Sequence, residues 1–184
     1  LILLMIFSAA ATFKFAERFT SVTYFGKALS ATTVPEAETS IGKAISLYTN
    51  DLYLRTYSQV YLVKLDSLVK KGSALSEEEK ADLQRSFDQA VNGAQAAVQY
   101  NPSNYLNYKL LGAVYQTAGA LKVEGAYAKA LEAYENASKL NPINPGLKIA
   151  IASVLYADGK TKEAITYAEA ALALAPNDKS IQEY

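Results

Sequence analysis

Three consecutive carboxylates, Glu77, Glu78 and Glu79, and a second pair at Glu132 and Glu135 are the residues whose type and spacing come nearest to chemistry. Clustered acids can hold a hard cation or share a proton for acid–base work. Both groups have a plainer reading. Ser76 and Glu79 form an S-x-x-E capping box, and Glu77 and Glu78 suit the positive end of a helix dipole. Glu132 and Glu135 lie three apart, an ordinary spacing for solvated positions on one helical face. The chain has no Cys and no His, which removes thiol and imidazole catalysis, disulfides and the usual zinc ligand sets. Its nine glycines are scattered and form no phosphate-cradling loop. The expectation is a non-enzyme with no catalytic residue, no cofactor and no metal.

Composition narrows the partners. Eighteen basic residues balance eighteen acidic ones, so no global field draws the chain to nucleic acid. Fourteen tyrosines stand beside many alanines and no Trp. That mixture suits close-packed helices in which rings fit over small residues. Tyr108, Tyr115, Tyr127 and Tyr134 are expected to pack inside. The sequon Asn136-Ala137-Ser138 falls within a predicted helix and reads as chance.

The elements that position these residues show a period. Alanines recur seven apart at Ala37 and Ala44, Ala90 and Ala97, Ala130 and Ala137, and Ala164 and Ala171. Residues at this spacing share a helix face, and their small size lets a neighbouring helix approach. Pro102, Pro142 and Pro176 close successive units, the last two 34 residues apart. An earlier helix-period stretch precedes each alanine pair. Its predicted stripes are Tyr108, Leu111, Gly112 and Tyr115 in one unit and Ile151, Ala152 and Leu155 in the next, with Gly159 at a helix end. Leu54, Tyr57, Ser58 and Tyr61 make the stripe before them, with a slip of one residue left open. The unit is therefore a pair of antiparallel helices.

The 34-residue spacing, "LLGAVY", "ALEAYENA" and the closing proline resemble tetratricopeptide repeats. Residues 105–178 carry the best match. Residues 51–102 match around a long insertion at "KKGSALSEEEK", and residues 12–50 match only in their second helix, with Thr49 in the place of proline. The resemblance implies an all-α, right-handed superhelix of antiparallel helical hairpins with a concave groove. The expected division is 1–13 as a hydrophobic N-terminal helix, continuous with the first repeat helix. Hairpins follow over 14–50, 51–104, 105–144 and 145–178, and 179–184 forms a tail. On the repeat pattern the groove presents Arg55, Gln59 and Leu62, then Lys109, Ala113 and Gln116, then Ile149, Ser153 and Tyr156. Family members that clamp a peptide carboxylate use basic and asparagine side chains there. Arg55 and Lys109 offer the cations and the asparagines are missing, so a mixed polar–apolar protein surface is the expected partner.

The N-terminal run contains Leu1, Ile2, Leu3, Leu4, Met5, Ile6, Phe7 and Phe13, and it demands burial. As a helix it reaches roughly 20 Å, short of a ~30 Å bilayer core. It reads as the end of a membrane span, a signal-peptide core, or a helix buried in a neighbouring subunit. The last hairpin, "TKEAITYAEAALALA", is expected to leave one apolar flank bare. The leading expectation is an interaction scaffold, anchored or assembled through its N-terminal helix and self-associating into a homo-oligomer or filament. The alternatives are the repeat portion of a larger membrane enzyme, resembling O-antigen ligases or polymerases, and a chaperone-like peptide receptor. The expected location is membrane-associated, in the cell envelope or at the surface.

Overall fold

The computed structural model describes residues 1–71 and 75–182, all of whose regular structure is helical. The chain divides into two compact units, Leu1–Gly93 and Ala94–Tyr184. The first holds α1 (Ile2–Ser30), α2 (Val34–Leu47), α3 (Asp51–Val69) and most of α4 (Glu77–Tyr100). The second holds the end of α4, then α5 (Tyr105–Ala120), α6 (Ala126–Leu140), α7 (Pro145–Ala157), α8 (Thr161–Leu174) and the single turn α9 (Lys179–Gln182).

Local chemistry sets the helix ends. Asn101-Pro102-Ser103-Asn104 and Asn141-Pro142-Ile143-Asn144 are the same device used twice. Proline stops one helix, and the second asparagine caps the next. The Asn104 side chain accepts from the Leu106 amide at 3.1 Å, and Asn144 accepts from Gly146 at 3.0 Å. Asn50 caps α3 by accepting from the Tyr53 amide at 2.9 Å. The expected capping box opens α4: the Ser76 amide donates to Glu79 at 2.9 Å, and the Glu79 amide donates to the Ser76 hydroxyl at 3.2 Å. Lys71, 2.6 Å away, and the Ser76 amide hold the Glu79 carboxyl below its usual range. The turn expected just before this box falls at 72–74, outside the described residues. Gly159 takes the left-handed conformation after α7, with φ +80°. There the Lys160 amide reaches the Leu155 carbonyl at 2.8 Å and Gly159 reaches Tyr156 at 3.0 Å, a Schellman ending.

In the first unit α1 packs on α2, and α2 on α3, around Ala28, Ile41, Ala44 and Tyr53. In the second, α5 pairs with α6 and α7 with α8, and α6 joins the two pairs. Tyr134, Ile151, Val154 and Leu155 fill that core over Ala130 and Ala164. The recurring alanines are contact points. Ser21 donates its hydroxyl to the Ala44 carbonyl at 2.8 Å, and Ser58 to the Ala90 carbonyl at 2.7 Å. Only a small residue leaves a helix backbone open to such an approach.

The predicted stripes need partial correction. On α7, Ile151, Ala152 and Leu155 are buried as expected. On α5 the buried set is Asn107, Leu110, Gly112, Val114, Ala118 and Gly119, while Tyr108, Leu111 and Tyr115 are half-buried. That helix is covered by α6 and by the end of α4, so its buried arc is wider and begins one residue earlier than a single-partner stripe. On α3 the buried residues are Tyr53, Thr56, Ser58, Leu65 and Leu68, the slipped register.

Candidate interaction surfaces

Helix α1 runs unbroken through 29 residues, but α2 covers only its second half. Arg18 stacks over the Tyr48 ring at 4.5 Å and donates to its hydroxyl at 3.0 Å. Before Glu17 every residue is exposed, including all of Leu1, Ile2, Leu3, Leu4, Met5, Ile6, Phe7 and Phe13. The exposed apolar set also extends further than the sequence run. Phe15, Phe19, Val22 and Leu29 continue it along the flank of α1 that faces away from Ser21 and Ala28. Their 4, 3 and 7 spacing is legible, but the charges at Lys14, Glu17 and Arg18 interrupt the run and hide it.

The membrane expectation is corrected here. Among the described residues no helix is long and apolar enough to cross a membrane. The membrane-associated, cell-envelope location is overturned on that ground.

The expected groove residues fall into two sets. In the first unit, Arg55 is half-buried and paired with Asp51 at 3.1 Å, Gln59 is exposed and Leu62 is half-buried. In the second, Lys109, Ala113 and Gln116 share a face of α5, and Ile149, Ser153 and Tyr156 a face of α7, two helices that touch. Lys109 and Tyr156 are exposed, while Ala113, Ile149 and Ser153 are half-buried. Gln116 accepts a 2.9 Å hydrogen bond from the Tyr134 hydroxyl. Of the four tyrosines expected inside, Tyr134 is buried at 4% exposure, and the other three are half-buried.

Burial pushes the Tyr134 phenol up to about 12. The sign follows from linkage. The unfolded chain loses this proton near pH 10 and the folded one near 12, so stability present below pH 10 falls as pH rises through that window. Absorbance titration at the tyrosinate band is expected to show a late-ionising phenol that Tyr134→Phe removes.

A cleft of about 470 Å³ opens between α6, α7 and α8, lined by Glu135, Ser138, Lys139, Pro142, Lys148, Ile151 and Tyr167. Lys148 donates to the Ser138 hydroxyl at 3.0 Å and lies 5.8 Å over the Tyr167 ring. Sequence reading set Ser138 aside as part of a chance sequon and gave no signal for Lys148. Among the described residues no group of acids is arranged to hold a metal ion.

Residues 124–183, covering α6 through α9, match the family profile described as tetratricopeptide repeat. That segment is tetratricopeptide repeat in sequence. No curated protein matches it by sequence. A structure of MamA superposes with a TM-score of 0.63 at 19% identity, covering 98% of this chain and 86% of that one. The APC/C heterotetramer Cut9–Hcn1 gives 0.64 at 18% identity, over 89% of this chain and 29% of that one. A tetratricopeptide repeat protein of Thermus thermophilus gives 0.51 at 18%, over 92% and 95%. At these identities the likeness is one of fold. The matched segment takes in α6 and the α7/α8 hairpin of the second unit.

Proposed function

We propose that the protein is an interaction scaffold that self-associates, with α1 of one copy buried against a second copy of the chain. The observation that carries this reading is the exposed apolar half of α1. Phe7, Phe13, Phe15 and Phe19 remain 75, 62, 73 and 67% exposed. At ~200 Å² each they leave roughly 500–600 Å² of ring surface in water. Leu1, Ile2, Leu3, Leu4, Met5, Ile6, Val22 and Leu29 are exposed as well. Together they exceed the ~800 Å² per partner of a stable protein interface. A helix that is apolar all round belongs inside a larger body.

The complementary surface is the flank of the last hairpin, where exposed Tyr156 and Ile165 line a cleft of about 350 Å³ and exposed Leu172 continues the face of Ile165 along α8. Contact between unlike surfaces repeats head to tail and closes into a ring or grows into a fibre. Light scattering on the intact chain in detergent-free buffer is expected to show large assemblies. Deleting residues 1–13 removes no buried side chain and leaves the Ser21–Ala44 contact in place, so it is expected to yield a folded monomer. A monomeric intact chain overturns the reading, as does a deletion that leaves the assemblies unchanged. Ile165→Glu tests the acceptor flank separately.

A further inference from the structure

Helix α1 has two apolar faces. Leu3, Ile6, Phe7 and Ala10 continue toward the N-terminus the face on which Ser21 and Ala28 meet α2. The far flank carries a separate stripe. Leu1, Leu4, Ser8, Ala11, Phe15, Phe19, Val22, Gly26 and Leu29 follow one another in steps of three and four along about 42 Å of helix, and all are exposed. The charges that break up the sequence lie off this stripe or at its edge. Lys14 pairs with Glu17 at 2.7 Å, and Arg18 is held by Tyr48. The order of large and small residues along the stripe is complementary about its centre. Counted outward from Phe15, Phe19 stands as far on one side as Ala11 on the other, Val22 as far as Ser8, Gly26 as far as Leu4, and Leu29 as far as Leu1. Laid against its own reverse, the stripe sets a large side chain on a small one in three of these four layers. A parallel pair in register would set Phe19 on Phe19 and Ser8 on Ser8, overfilling some layers and emptying others.

We propose that this stripe pairs with the same stripe of a second copy, antiparallel, about a two-fold axis at Phe15. The inference rests on the reading that α1 is buried against another copy, and it adds a closed contact to the head-to-tail one. The two contacts use different faces, because Leu3, Ile6 and Phe7 stay free for the flank of the last hairpin. At the axis the two Phe15 rings meet as an aromatic pair. The six large side chains of the stripe, each more than half exposed, offer on the order of 800 Å², which is what one partner contributes to a stable interface. The pairing also sets residues 15–29 of one copy against 1–15 of the other, so deletion of residues 1–13 removes every layer except Phe15 on Phe15.

The test uses the full chain carrying Ile165→Glu, which removes the head-to-tail contact. Analytical ultracentrifugation is expected to find a dimer, and adding Phe19→Asp is expected to give a monomer. Gly26→Leu separates shape from general stickiness. A carbon added at Gly26 meets nothing within 4 Å in its own chain, so the fold tolerates it, yet in the pair it collides with Leu4 of the second copy. It should weaken dimerisation about tenfold or more although it makes the stripe more apolar. Circular dichroism checks that each variant is folded. Direction is read by cross-linking, since the chain has no cysteine of its own. Ser8→Cys and Val22→Cys chains, treated with a short bismaleimide, should join to each other when mixed. Neither should join to itself, because like positions lie roughly 20 Å apart in the antiparallel pair. A monomeric Ile165→Glu chain overturns the two-fold contact and leaves the head-to-tail reading standing, whereas a monomeric unsubstituted chain overturns both. Self-joining of Ser8→Cys, or a dimer indifferent to Gly26→Leu, also overturns the proposal.

Discussion

Asn107→Asp is expected to destabilise the second unit by about 4 kcal/mol at neutral pH, as for a charge buried against two carbonyl oxygens. Asn107 is 0% exposed. Its amide nitrogen donates to the Ala97 carbonyl at 2.8 Å and to the Asn101 carbonyl at 2.8 Å. Ala97 lies in the last turn of α4, and Asn101 directly follows that helix. Carbonyls at a helix end need donors from outside the helix, and this side chain ties the end of one hairpin to the first helix of the next. Aspartate keeps the shape and reverses the chemistry, setting a carboxylate oxygen against two carbonyl oxygens in a site closed to water. Asn107→Ala should cost less, about 2–3 kcal/mol, because both carbonyls keep a backbone donor, Asn101 N–H on Ala97 and Asn104 N–H on Asn101. Urea unfolding followed by circular dichroism measures both. The aspartate deficit should also shrink in acid. The folded-state carboxyl is raised above its unfolded value near 3.9, so the full deficit holds above the folded pKa, shrinks as pH falls from there, and is gone below about 3.9, where the protonated group can donate. Equal losses for Asp and Ala at neutral pH would show that the donor pair carries no weight.

What the sequence made legible was the part of the fold that repeats. Alanines seven apart, prolines closing each unit and Gly159 after α7 all reflect local rules: small residues where helices approach, no amide where a helix must stop, and a left-handed residue where the chain turns. The partners of those alanines were not legible. Ser21 and Ser58 look like ordinary polar helix positions until the opposing carbonyls of Ala44 and Ala90 are placed against them. Asn107 likewise sits one residue outside the predicted stripe. The same limit applies to function. Leu1 to Phe13 announce their need for burial by type alone, whereas Phe15, Phe19, Val22 and Leu29 join that surface only once α2 is known to cover the other side of α1. Lys148 was invisible for a related reason. A lysine on an amphipathic helix reads as solvated, and only the Ser138 hydroxyl and the ring of Tyr167 beside it distinguish it from Lys109.

Gly112 carries the second large effect, and it tests the ring-over-glycine packing behind the "LLGAVY" motif. A Cβ at this position would lie 2.7 to 2.8 Å from three ring atoms of Tyr134. The ring cannot swing aside cheaply, since it is buried in the core of the second unit and its hydroxyl is bonded to Gln116. Alanine at a helical glycine normally gains about 1 kcal/mol of helix propensity. Here the overpacking of about 1–3 kcal/mol works against it, so Gly112→Ala should gain nothing and lose up to roughly 2 kcal/mol. Gly112→Val, with two further methyls against the same ring and less propensity gain, should cost about 3 kcal/mol. Gly42 is the control with the opposite sign. It is a helical glycine with nothing within 4 Å of the added carbon, so Gly42→Ala should gain roughly 0.5–1 kcal/mol. If the clash is the cause, truncating the ring must relieve it. Tyr134→Leu is destabilising alone, but combined with Gly112→Val its cost should fall well below the sum of the two single changes. Additive losses would mean that the glycine serves the backbone rather than the ring.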